Sequence, residues 1–309
     1  MTQGDLEQHT ELHTDEAVLL AHALVARLAE KAAARALFIK GPTAVALGVR
    51  PARPSGDVDV LVEPASFEAV CRAMESAGWQ LRSWLGALRY AGEFAFDHSA
   101  HYIHPEWPCD VDVHYNFPGF LADPAAVFDA LWSRRIEVEI AGRQVQSPDH
   151  LGQALVVALH ALRDPERPQS RADLAHIAAA ADDWPPTASS ELADLAAATG
   201  AAGSAAPLLA ALGTAAADDP SLAPRLADWH ARQRGFGRST MWLVELRRTP
   251  WKDRPATLRR ALVPPPEYLV SSHEARTLTR SRLWSLHARR WARGLVSLPR
   301  ALARFAGLR

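Results

Sequence analysis

Two runs of alternating aspartate and valine, Asp57-Val58-Asp59-Val60-Leu61-Val62 and Asp110-Val111-Asp112-Val113-His114-Tyr115, constrain this chain more than any other feature. Neighbouring side chains of an extended strand point to opposite faces. Asp57 and Asp59 therefore share one face, and Val58, Val60 and Val62 the other. The same parity sets Asp110, Asp112 and His114 against Val111, Val113 and Tyr115. A half-buried strand tolerates one carboxylate easily. Two, reached through Ser55-Gly56 and flanked by apolar residues, suit a hard divalent cation that takes oxygen ligands and leaves positions for phosphates. If the strands are neighbours with polar faces aligned, three or four carboxylates converge, enough to hold two ions for displacement at phosphorus. The bland alternative is a pair of solvated strand ends.

Upstream, the apolar run Ala36-Leu37-Phe38-Ile39 leads into Lys40-Gly41-Pro42-Thr43. A lysine and a glycine where a strand turns into a helix can meet phosphate, because backbone N–H groups point there. Lys31, Lys40 and Lys252 are the only lysines among 34 Lys and Arg residues. A compact ammonium kept in so arginine-rich a chain suggests a site that needs it.

Taken in order, Lys40-Gly41, Arg53-Pro54-Ser55-Gly56-Asp57-Val58-Asp59-Val60-Leu61-Val62 and Val111-Asp112-Val113-His114-Tyr115 resemble the uncharacterised branch of the nucleotidyltransferase superfamily. Leu159-His160-Ala161-Leu162 and Arg171-Ala172-Asp173-Leu174 are similar to that family's helical segment, and the likeness is best over about residues 15–185. The resemblance implies an α/β (α+β) polymerase-β-like palm with a mixed sheet, followed by a mostly α-helical domain. The boundary is placed at 1–147 and 148–309. It further implies a Mg²⁺ (or Mn²⁺) site at Asp57, Asp59 and Asp112. Lys40, Gly41, Arg53 and His114 would lie around a nucleoside triphosphate, with ATP the expected donor. His101, His160, Arg171 and Asp173 are candidates for acceptor or phosphate contacts. The wider superfamily has Gly-Ser where this chain has Gly41-Pro42, so the hydroxyl expected there is missing or comes from Thr43.

Each of these residues also has a structural reading. His160 fits a core histidine on an apolar helix face, and Arg171 fits a partner for Asp173 at a helix start. His98, His101, His104 and His114 are close in sequence, but zinc needs a fixed ligand geometry that spacing alone does not supply. The acceptor is open between a small molecule, a peptide and tRNA. Two alternatives to an NTP-using enzyme of unknown acceptor stand: an inactive palm that binds nucleotide, peptide or RNA, and a tRNA-directed transferase of toxin type.

Composition narrows the setting. At 309 residues and with 48% hydrophobic residues, the chain has enough apolar surface for one large core or two ordinary ones. No run approaches the roughly 20 uncharged residues of a membrane span. Cys71 and Cys109 are the only cysteines, which suits a reducing cytoplasm. The formal charge of −1 hides a strong asymmetry, since residues 222–309 hold 19 of the 34 basic but only 5 of the 35 acidic residues. That basic part invites an anionic partner. Three readings stand for it: a solvated face over the acidic half, a track for nucleic-acid phosphates aided by Trp284 and Trp291, or a helix on an anionic membrane surface.

Helices are expected from Thr14 to about Ala34, near 42–48, from Ser66 to Gly78, and from Ser147-Pro148-Asp149 onward with serine as N-cap. The alanine-rich 187–218 reads as packed helix. Strands are expected at 36–39, Trp84 to Tyr90, Phe94 to Ile103 and 110–115, with a hairpin over 136–146.

Overall fold

A computed structural model describes residues 12–82, 99–233, 246–247, 249–264, 266, 269–270 and 278–306. In chain order its main elements are α1 (Thr14–Lys31), β1 (Ala36–Ile39), α2 (Gly41–Ala46), β2 (Asp57–Val62), α3 (Phe67–Ser76), β3 (Gln80–Leu81), β4 (Ser99–Ile103) and β5 (Asp110–His114). Then follow α4 (Pro124–Ser133), the hairpin β6 (Arg135–Ile140) and β7 (Arg143–Pro148), and α5 (His150–Leu162). The helices α6 (Pro168–Ala180), α7 (Ala188–Ala198), α8 (Ala206–Ala211), α9 (Ala223–Gln233), α10 (Arg254–Leu262) and α11 (Arg280–Ala306) follow.

Five strands form one mixed sheet in the order β1-β2-β5-β4-β3. The β2 and β5 strands run parallel and the other neighbours antiparallel. The valine side of the alternating runs is one sheet face: Val58, Val60, Val62, Val111 and Val113 are all fully buried with Phe38, Tyr102 and residues of α1 and α3. Each buried valine contributes roughly 1.5–3 kcal/mol, so this face holds both strands in register. The opposite face is split. Leu37, Ile39 and Leu61 pack against Leu151, Leu155 and Leu159 of α5, and beyond them Ile177 and Leu192. The rest of that face carries the aspartates. This second core draws residues from both sides of position 147.

The sequence expectations for α1, β1, α3, β5 and the hairpin match the observed elements within a few residues. The start of α5 differs. Ser147 and Pro148 belong to β7, and Asp149 is the N-cap, its carboxylate accepting from the Gly152 amide at 2.9 Å. Asp149 wins because an unpartnered helix N–H is best met by a carboxylate. Gly152 is required here, since a Cβ would lie 2.7 Å from Pro148 Cβ. The expected strand Trp84 to Tyr90 and the first part of Phe94 to Ile103, with His98, lie outside the described residues; Ser99–Ile103 forms β4.

Candidate active site

Strand register builds the site. Asp59 pairs with Asp112 across the parallel β2–β5 ladder, and Asp112 pairs with His101 across β5–β4. One step along, Asp57 pairs with Asp110. One step the other way, Leu61 pairs with His114, which pairs with Ser99. By parity, Asp57, Asp59, Asp110, Asp112, His101 and His114 share one face of three adjacent strands.

Buried Asp59 is the centre. Its Oδ2 lies 2.7 Å from Lys40 Nζ and its Oδ1 3.0 Å from His114 Nε2. Burial alone would raise its pKa, but Lys40 and His114 outweigh that and hold the carboxyl far below the usual range. Asp112 Oδ1 meets His101 Nδ1 at 2.5 Å, and His101 Nε2 lies 3.2 Å from Ser99 Oγ. Burial works against a charge on His101, yet Asp112 leaves its pKa raised. Asp110 is bound by Arg82 at 2.6 Å. Asp57 makes no hydrogen bond or ion pair with any described side chain. Burial first, and then the neighbouring Asp59, push its pKa up to about 7, with Lys40 opposing. Oxygen or nitrogen atoms of Asp59, Asp112 and His114 lie within 4.8 Å of one another, a set able to hold a metal ion.

Lys40 reaches Asp59 from an unusual backbone. Lys40 and Gly41 both have positive φ, 58° and 45°, in the turn between β1 and α2. Gln153, buried in α5, holds this turn. Its Oε1 accepts from the Lys40 amide at 2.9 Å, while the two N–H groups of its Nε2 are shared among Phe38 O at 2.9 Å, Thr43 Oγ1 at 3.1 Å and Ser147 Oγ at 2.8 Å. The Lys40 amide therefore faces protein, and the Thr43 hydroxyl is buried and donates to Lys40 O at 2.8 Å.

The remaining candidates divide. Arg53 is forked onto buried Asp173 of α6, with both bonds at 2.7 Å. The alternative pairing of Arg171 with Asp173 is absent. Arg171 is exposed and lies 3.7 Å from Glu166. His160 reaches solvent at the end of α5 but is otherwise surrounded by protein. Burial and then Lys40 lower its pKa, with Asp59 opposing, so its imidazole is neutral at pH 7. His104 packs tilted against Trp79, with ring centroids 5.3 Å apart, and is not part of the metal-capable set.

Three residues escaped the sequence reading. Arg82 carries no local pattern. Gln153 did carry a signal, as a polar residue inside the apolar Leu151–Val157 stretch. Arg50 is half-buried and donates to Ser55 Oγ at 3.4 Å. Burial and nearby Arg53 lower its pKa, against Asp173, Asp57 and Asp59. Among the described residues it has no ion-pair partner, although three carboxylates stand close enough to act on it.

Residues 3–214 match the family described as "Uncharacterised nucleotidyltransferase". The chain belongs to that family. The matched span contains every site residue named above and stops before the basic C-terminal part. Among solved structures, an antigenic nucleotidyltransferase-like protein from Paracoccidioides brasiliensis is similar at a TM-score of 0.39 and 12% identity, covering 68% of this chain and 97% of that one. No curated protein matches the sequence.

Proposed function

We propose that this nucleotidyltransferase moves a nucleoside monophosphate from a nucleoside triphosphate, with ATP the expected donor, to an acceptor hydroxyl or phosphate and releases pyrophosphate. The observation that supports this best is the registered pair Asp59 and Asp112, with Lys40 on Asp59 and unpartnered Asp57 one step away. Hard oxygen donors crowded to the point where Asp57 keeps its proton near neutrality fit a Mg²⁺ or Mn²⁺ ion. Asp59 and Asp112, with His114, would hold it, and Asp57, outside that set but on the same strand face, would add a third carboxylate. Bound there, the ion would supply positive charge against the phosphates and the departing pyrophosphate.

The side chains do the rest by position and charge. Lys40, on Asp59, and Arg50, which has no ion-pair partner among the described residues, would oppose the charge of the triphosphate. His101 orients Asp112, the carboxylate suited to take the acceptor proton. His114 fixes the direction of Asp59. Arg53 acts at one remove, because its fork to Asp173 anchors the loop that carries Arg50 and Ser55. Neutral His160 would accept or donate a hydrogen bond to the acceptor. Cys71 and Cys109, not joined in a disulfide, fit the cytoplasm, where nucleoside triphosphates are plentiful.

The test is incubation with Mg²⁺ and each α-labelled nucleoside triphosphate, alone and with cell extract, against Asp57→Asn as control. Label transferred by the parent and not by the variant supports the proposal. A second reading, a palm that binds without catalysis, draws on the engaged Thr43 hydroxyl and Lys40 amide. Nucleotide binding with no label transferred under any condition would favour it.

A further inference from the structure

The long helix α11 lies beyond the family match and takes no part in the site above. Residues 280–306 contain seven arginines and no acidic residue. At 100° per residue, Arg282, Arg289 and Arg293 fall on one side, and Trp284, Trp291, Leu295, Leu298 and Leu302 fall on the other. The two stripes share a spacing of seven and then four residues, offset by two positions, which puts them about 200° apart. The apolar stripe is open: Leu295 is 69%, Trp284 56% and Leu302 48% exposed. Arg282, Arg289 and Arg293 form no ion pair with any described residue, so the expectation of a face lying over the acidic half finds no support among them. The helix is attached to α10 instead, where Trp291 Nε1 donates to Leu262 O at 2.7 Å and Arg290 Nη1 to Ala261 O at 2.6 Å. That neighbour is also basic and carries the exposed Leu258 and Leu262, with Trp251 83% exposed just before it.

We propose that α11, with α10 beside it, docks in the plane of an anionic lipid surface. Phosphates of a nucleic acid would satisfy the arginines but leave the leucine and tryptophan stripe in water. A bilayer surface satisfies both. The apolar stripe enters the headgroup–acyl boundary, and the arginines meet lipid phosphates from the opposite side. Tryptophan, with an apolar body and one N–H, suits that boundary. No helix of the described residues is long and apolar enough to cross a membrane, so docking is in-plane. Docking of this helix does not depend on the proposed transfer reaction.

Flotation of the full chain tests it, with vesicles of phosphatidylcholine alone and of phosphatidylcholine mixed with phosphatidylglycerol, beside a tRNA-binding arm. The chain is expected to float with the anionic vesicles and far less with the neutral ones. Arg289→Gln with Arg293→Gln should lower partitioning about fivefold per residue. Leu295→Ser with Leu302→Ser should lower it about tenfold per residue, with an unchanged circular dichroism spectrum. A parent chain that stays with the soluble fraction in the presence of phosphatidylglycerol overturns the proposal, whatever the variants do. So does tight, salt-dependent tRNA binding that the leucine variant leaves intact while vesicle binding is absent, since that assigns the helix to nucleic acid.

Discussion

Arg53 and Asp173 join two parts of the chain 120 residues apart through a two-pronged ion pair, each N–O distance 2.7 Å. Asp173 is buried, so the pair anchors the loop before β2 to helix α6. Arg53→Ala leaves that carboxylate without its partner and is expected to cost about 3 kcal/mol in urea unfolding. Arg53→Lys should recover only part of this, because an ammonium cannot reproduce the planar fork. Equal stability of the parent and Arg53→Ala would contradict the anchoring role.

Asp57 is expected to trade stability for function. Its folded pKa of about 7 lies above the ordinary value of 3.8, so its contribution to stability is full below about pH 3.8 and is lost as pH rises through about 7. Asp57→Asn should therefore raise the metal-free thermal midpoint at pH 8, by roughly 3–6 °C, with a smaller gain at pH 5. The same variant should lose label transfer by about a thousandfold. In calorimetry of the parent, Mn²⁺ should bind more weakly below pH 7 and release protons as it binds.

Gln153 has four polar partners within hydrogen-bond distance in the buried turn around Lys40. Gln153→Leu keeps the bulk but strands the buried Lys40 N–H, a loss expected to be about 2 kcal/mol by chemical denaturation. A neutral effect would mean that other groups, or water, satisfy the turn.

Arg50 stands near three carboxylates with no ion-pair partner among the described residues. If it opposes phosphate charge, Arg50→Ala weakens nucleotide binding about tenfold or more while Mn²⁺ binding is unchanged or tighter. Calorimetric titration with each ligand separates the two, and unaltered nucleotide affinity would remove Arg50 from the site.

His22 sits behind the sheet, its Nδ1 2.7 Å from Val18 O and its ring against Phe38. Burial lowers its pKa to about 4, outweighing the Val18 hydrogen bond and Asp59. The unfolded chain takes up a proton below about pH 6.5, which folded His22 refuses until about pH 4. Its share of stability is thus present above pH 6.5 and is lost as pH falls through about 4. Between pH 6.5 and pH 5 this amounts to about 2 kcal/mol, which His22→Leu should abolish in thermal melts.

The alternating aspartates and valines settled much by themselves. Parity alone assigned each side chain of β2 and β5 to its face, because a strand repeats every two residues whatever surrounds it. The lone lysine at the β1 turn was legible for a similar reason, as a local departure from an arginine-rich composition. Long-range partners were another matter. That β2 and β5 run parallel and in register, setting Asp59 beside Asp112, depends on the two cores that clamp the sheet. Gln153, Arg50 and the Arg53–Asp173 fork depend on α5 and α6 folding back over 110 to 120 residues onto β1 and its loop. Charge and burial at each carboxylate follow from those neighbours, so only the folded chain decides which aspartate is ionised and which keeps its proton.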